Sequence, residues 1–110
     1  MYTIRQVARM TGIPASTLRY YHKEGLLPFL SRNASGYRIF SDLDLAMLHV
    51  LQCLKMTGMA VSEIKQFTEW VQQGDATLKQ RHAMLLGRRE AVEKQIAELH
   101  KVLAVIDQKC

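Results

Sequence analysis

Gly12-Ile13-Pro14-Ala15-Ser16-Thr17-Leu18-Arg19-Tyr20-Tyr21-His22-Lys23-Glu24-Gly25-Leu26-Leu27, with Gly36-Tyr37-Arg38 shortly after it, decides the fold of this 110-residue chain. The stretch holds a helix start, an Arg-Tyr-Tyr triplet and a glycine stop, and a second Tyr-Arg pair follows on a β-capable run. Arginine offers planar, two-pronged hydrogen bonding to phosphate or to guanine edges. Tyrosine offers a hydroxyl and a flat face against a sugar-phosphate backbone. Two such clusters on adjacent short elements suit a recognition helix and a wing that hold duplex DNA together.

Working outward, Thr3-Ile4-Arg5-Gln6 fits a capping box, and Gly12 ends the short helix that follows. The next helix starts near Pro14 or Ala15 and runs to about Glu24, with Gly25 as its stop. The connection is about three residues long, which makes the pair a helix-turn-helix candidate. Leu26-Leu27-Pro28 is expected to leave in extended form. Ser31 to Gly36 is expected to form a polar loop, and Tyr37-Arg38-Ile39-Phe40 a strand. Ser41-Asp42-Leu43-Asp44 caps a third helix to about Thr57, and Val61-Ser62-Glu63 starts a fourth. Of the adjacent pair Tyr20 and Tyr21, one should face the core and the other DNA. The spacing leaves open which does which.

The net charge is +5 and the pI about 9.5, which favours a polyanionic partner. Residues 1–44 hold six Arg or Lys against three acids, so the basic excess lies where the Arg-Tyr clusters lie. Two cysteines far apart make no disulfide framework, and no apolar run is long enough to span a membrane. A cytoplasmic protein with reduced thiols is expected. There is no nucleophile with an adjacent base, no phosphate loop and no ligand-spaced histidine pair, so neither an enzyme nor a cofactor is expected.

From Ala76 onward there is no proline. Leu78, Leu85, Val92, Leu99 and Ile106 recur every seven residues, and His82, Arg89, Ile96, Leu103 and Cys110 follow each by four. That is a coiled-coil seam on a helix roughly 50 Å long, too long to be covered by so small a domain. A homodimer follows, with Leu78, Leu85, Val92, Ile96, Leu99, Leu103 and Ile106 as its interface. A parallel pair would stack His82 on His82 and Arg89 on Arg89, so an antiparallel pair is expected. The fold class is mainly α: a winged helix-turn-helix over residues 1–75 and a dimerisation helix over 76–110.

The chain resembles the MerR family of transcriptional regulators. The likeness rests on Tyr2-Thr3-Ile4, Val7-Ala8, Gly12-Ile13, Thr17-Leu18-Arg19-Tyr20-Tyr21, Gly25-Leu26-Leu27, Gly36-Tyr37-Arg38, Phe40-Ser41 and Asp44. It implies a dimer on a pseudo-palindromic promoter operator that bends and untwists an overlong spacer, so that RNA polymerase engages both promoter elements. Carried over by position, Thr17, Arg19, Tyr20 and Tyr21 match recognition-helix contacts. Tyr37 and Arg38 match the wing's backbone contacts, and Arg32 sits where the wing tip reaches phosphate. Two positions depart from the family pattern. Pro14 stands where many members have a capping Ser or Thr. His22 replaces the usual acid, which should not weaken DNA binding.

Leu51-Gln52-Cys53-Leu54-Lys55-Met56-Thr57-Gly58-Met59 is similar to the short NmlR/AdhR-like branch, which responds to aldehyde and nitrosative stress. Cys53 is either an inert core thiol or the sensor, with His49 and Lys55 favouring its thiolate. A metal-responsive regulator using Cys53, Cys110 and a histidine is the alternative within the family. A coiled-coil adaptor that does not bind DNA is the alternative outside it.

Overall fold

In the computed structural model, which describes residues 1–110, five α-helices and three short strands follow one another. In chain order they are β1 (Tyr2–Thr3), α1 (Ile4–Thr11), α2 (Ala15–Lys23), β2 (Ser31–Arg32), β3 (Arg38–Phe40), α3 (Asp42–Met56), α4 (Val61–Gln73) and α5 (Leu78–Lys109). A single 3-10 turn, Gly74–Thr77, joins α4 to α5.

Local chemistry sets the helix starts. The Thr3 hydroxyl accepts from the Gln6 amide, and the Gln6 side chain accepts from the Thr3 amide at 2.8 Å. Ser41 and Asp44 repeat the reciprocal pair at the head of α3. Asp44 is buried, and the Ser41 amide and hydroxyl both donate to it, at 2.8 and 2.9 Å. A buried carboxylate without such donors would be costly. Gly12 ends α1 at φ 75°, a left-handed conformation that a side chain disfavours.

The sheet has the order β1-β3-β2 and is antiparallel, pairing Tyr2 with Phe40 and Arg32 with Arg38. Two expectations are corrected here. The wing's outgoing strand is Ser31–Arg32, in the segment expected to be loop, whereas Leu26 and Leu27 are core residues in a turn. The chain's own first residues supply a third strand, which pins the wing to α1. Val7, Leu18, Leu26, Leu27, Phe40 and Leu48 are almost wholly buried and join α1, α2, the wing base and α3 in one core.

The first half of α5 closes that core from outside. Thr77 is buried and its hydroxyl donates to the Trp70 and Gly74 carbonyls, while Arg81 donates to Gly74 at 2.9 Å. Met84 packs against the core, and Arg88 reaches the Thr57 carbonyl. The second half of α5 leaves the body of the molecule, which extends 62 Å along its longest axis. No helix is long and apolar enough to cross a membrane.

Candidate nucleic-acid interface

The helix-turn-helix and the wing together form one concave surface. A cleft of about 730 Å³ lies between the first turn of α1, the exposed side of α2 and the wing. Arg5, Arg19, Arg32 and Arg38 line it with Tyr37 and Asn33, and none of its lining residues is acidic. Four guanidinium groups without a counter-charge repel one another and favour an anion between them.

The wing is held rigid. The Asn33 side-chain oxygen accepts from the amides of Ser35 and Tyr37, both at 3.0 Å. Arg32 donates to the Gly36 carbonyl at 2.9 Å, closing the tip. Gly36 sits at φ 83°, which the tight tip requires. Tyr37 projects from this frame, 72% exposed.

Arg38 connects the two halves of the cleft. Its Nε donates to His22 Nδ1 at 2.9 Å, from β3 to α2. His22 must therefore be neutral on that nitrogen. Partial burial lowers its pKa, the charges of Arg38 and Arg32 lower it further, and Asp44 opposes them. Burial, Arg32 and Arg19 likewise lower the pKa of Arg38, which places the three arginines within one another's fields.

A depressed histidine pKa means that the unfolded chain takes the proton first. The link thus contributes stability above the ordinary value of about 6.5 and loses it as pH falls towards the folded value. In an NMR titration of the free protein, His22 should titrate below about 6.5. Arg38→Ala should move it upward, and an unmoved His22 resonance in that variant would contradict the coupling.

The open question about the two tyrosines is resolved by burial. Tyr21 is 6% exposed and packs in the core, while Tyr20 is 42% exposed beside it. The Tyr21 hydroxyl accepts from Lys55 Nζ at 3.1 Å in a hollow beside the start of α2. Of the two alternatives, Tyr21 is the one that faces the core, and its hydroxyl holds Lys55. The α2 N-terminus has no side-chain cap at Pro14, so its first amides stay open next to Ser16, Thr17 and Lys55. Open amides at a helix start favour negative charge.

A family model described as "MerR HTH family regulatory protein" matches residues 2–69, and one described as "MerR, DNA binding" matches residues 45–109. The chain belongs to the MerR family of helix-turn-helix transcriptional regulators. It is 44% identical over 108 residues to an uncharacterised HTH-type transcriptional regulator of Haemophilus influenzae, covering 98% of this chain and 80% of that one. It is 32% identical over 87 residues to the regulator AdhR of Bacillus subtilis, covering 79% of this chain and 62% of AdhR. The crystal structure of HiNmlR, a MerR family regulator lacking the sensor domain and bound to promoter DNA, superposes with a TM-score of 0.92. Identity to it is 44%, with coverage of 98% of this chain and 86% of that one.

Within this MerR scaffold, Arg5 and Asn33 line the cleft, and Lys55 lies in a separate hollow at the start of α2 with Ser16, Thr17 and Tyr20, although sequence reasoning did not select the three as contacts. Arg5 could have been found as a cation in the solvent-facing first turn of α1. Lys55 gave no local signal, because its partner Tyr21 is 34 residues away. Cys53 lies apart from the cleft, exposed on α3, with Sγ 3.8 Å from His49 Nε2. This corrects two expectations. Cys53 is no core thiol, and Lys55 turns to Tyr21 instead of to it. Met56 is 84% exposed, so it does not bury the thiol either.

Proposed function

We propose that this MerR-family regulator binds a pseudo-palindromic promoter operator as an antiparallel homodimer and acts by bending and untwisting the promoter spacer. The observation that carries the reading is the cleft lined by four arginines and no acid, built jointly by α2 and the wing. Arg19, Thr17 and Tyr20 would enter or flank the major groove from α2. Arg32, Tyr37 and Arg38 would hold the backbone beside it, and Arg5 would add a phosphate contact. Residues 1–75 serve as the DNA-binding unit and residues 76–110 as the dimerisation helix. The solvent-exposed seam of α5, including Leu85, Ile96, Leu99, Leu103 and Ile106, supports that division. Such a protein works in the cytoplasm, beside RNA polymerase, and has no enzymatic step.

Run-off transcription from a promoter with an overlong spacer tests this reading. The dimer should raise transcript yield there and leave it unchanged or lower when the spacer is shortened to the optimum. Equal effects on both templates would contradict spacer remodelling.

The signal proposed is a small electrophile, an aldehyde or a nitrosating agent, that modifies Cys53. Exposure gives the reagent access, and the imidazole of His49 lies beside the thiol, with Nε2 3.8 Å from Sγ. An adduct would alter the surface of α3 while leaving the apolar packing of Leu51 and Leu54 intact, since both point inward. In a reporter strain, Cys53→Ser should lose induction and Cys110→Ser should keep it. Full induction in the Cys53→Ser strain would remove the thiol from the mechanism.

A further inference from the structure

Of the four arginines that line the cleft, Arg38 alone is held from a second element. Its Nε donates to Nδ1 of His22, so β3 is tied to the last turn of α2. Arg32 is held within its own wing, by the Gly36 carbonyl. Arg38 has five N–H donors, and the four on its terminal nitrogens find no partner in the chain. They remain for an anion in the cleft. His22 is not among the lining residues and holds the guanidinium from outside.

The holder carries no charge. The two ion pairs of the chain, Arg89 with Glu93 and Lys101 with Glu98, both lie on α5. Three other charged groups act on the His22–Arg38 link: Arg32 from β2, Asp44 from the head of α3 and Arg19 from α2 itself. Asp44 takes its hydrogen bonds from Ser41 and forms no ion pair with Arg38. A carboxylate in the place of His22 would bind the guanidinium but cancel its charge. A neutral ring binds it and leaves the charge whole.

We propose that His22 is a positioning residue for a phosphate contact made by Arg38. Its neutral ring fixes the wing arginine against α2 with its charge uncancelled, and a proton on that ring releases it. The inference rests on the DNA-binding reading of this cleft given above. Protonation breaks the link for two reasons. Imidazolium has no acceptor nitrogen, and two cations at 2.9 Å repel. Burial, then the charges of Arg38 and Arg32, lower the pKa of the ring, while Asp44 opposes them. The link therefore holds at neutral pH and opens below the ordinary value of about 6.5. The charge gained on His22 is set back from the cleft, whereas Arg38 loses its pose in the cleft. DNA affinity should thus fall with pH.

Binding of the full-length chain to a fluorescently labelled duplex of random sequence tests it, since phosphate contacts do not depend on sequence. His22→Asn keeps an acceptor bonded to Cγ, as Nδ1 is, but cannot take a proton. At neutral pH it should match the unmutated chain in affinity and in the slope of log K against log salt. His22→Asp keeps the acceptor but cancels the charge, and should lower the slope by about one and the affinity about fivefold or more. His22→Ala has no acceptor and should bind about threefold or more weakly. As pH falls from about 8 to about 5, the unmutated chain should drop about threefold or more below His22→Asn. That comparison removes the contribution of the other histidines. In NMR spectra of the free chain, the Arg38 Nε–H resonance should shift over the same pH range and stay in place in His22→Asn, which reads the link without DNA. If it does so while all three variants bind like the unmutated chain, His22 holds Arg38 for the fold alone and the inference is overturned. Tighter binding by the unmutated chain than by His22→Asn at low pH would overturn it too, because His22 would then act as a simple added cation. If the unmutated chain binds no duplex, the DNA-binding reading fails and the inference with it.

Discussion

Leu103→Asp should turn the dimer into monomers and abolish operator binding. Leu103 is 53% exposed in the single chain and far from the domain core, so an aspartate there leaves the protomer's fold intact. In the paired seam it would lie against the apolar Leu85 of the partner, twice per dimer, and not directly opposite a cation. Burying two unpaired carboxylates costs at least about 4 kcal/mol together, a rise of about a thousandfold in dissociation constant. Leu99→Asp provides the internal control. It faces Arg89 of the partner in the antiparallel register, so its carboxylate finds a guanidinium and its effect should be clearly smaller. Analytical ultracentrifugation of the two variants compares them directly. Equal effects would contradict the register, and an unaffected Leu103→Asp dimer would contradict the seam.

Arg19→Ala and Arg38→Ala should both cut DNA affinity, in distinguishable ways. Arg38 is anchored to His22 in the wing-side half of the cleft and suits a phosphate. Its loss should weaken binding to all duplexes about equally and lower the slope of log K against log salt by about one. Arg19 is exposed on the second turn of α2 and is free to reach a base edge. Its loss should cost about 1–3 kcal/mol on the operator and relax preference at one base pair per half-site. Anisotropy titrations on operator and shuffled duplexes at several salt concentrations separate the two outcomes. A variant lacking both arginines that binds as tightly as the parent would place the DNA elsewhere on the protein.

Most of the helical frame was legible in the sequence because its signals are local. Thr3 with Gln6, and Ser41 with Asp44, are reciprocal pairs three residues apart, and the glycines at 12, 25 and 58 stop helices near where the pattern ends. The sheet was only partly legible. β1 and β2 are two residues each, too short for an alternation to register, and both exist because β3 lies between them to pair with. The Arg-Tyr clusters converge on one cleft, where Arg19, Arg32, Tyr37 and Arg38 meet. Their detailed arrangement was hidden, since it depends on contacts distant in sequence. His22 meets Arg38 sixteen residues away, and Lys55 meets Tyr21 thirty-four away. Periodicity could not choose between Tyr20 and Tyr21, because adjacent helical residues straddle the boundary between faces. Burial of the one against Lys55 and α3 makes that choice. Met56 belongs to an apolar stretch of α3 in sequence, yet it stands on the exposed side with His49 and Cys53.

The most direct test of the central claim is selection from a pool of random duplexes by the full-length chain at about 0.1 M salt, a range in which phosphate contacts still contribute. The account predicts enrichment of an inverted repeat, two half-sites related by the dimer's two-fold axis, and no enrichment by a variant carrying both Arg19→Ala and Arg38→Ala. Recovery of a single asymmetric site, or of no site above the unselected pool, would contradict it.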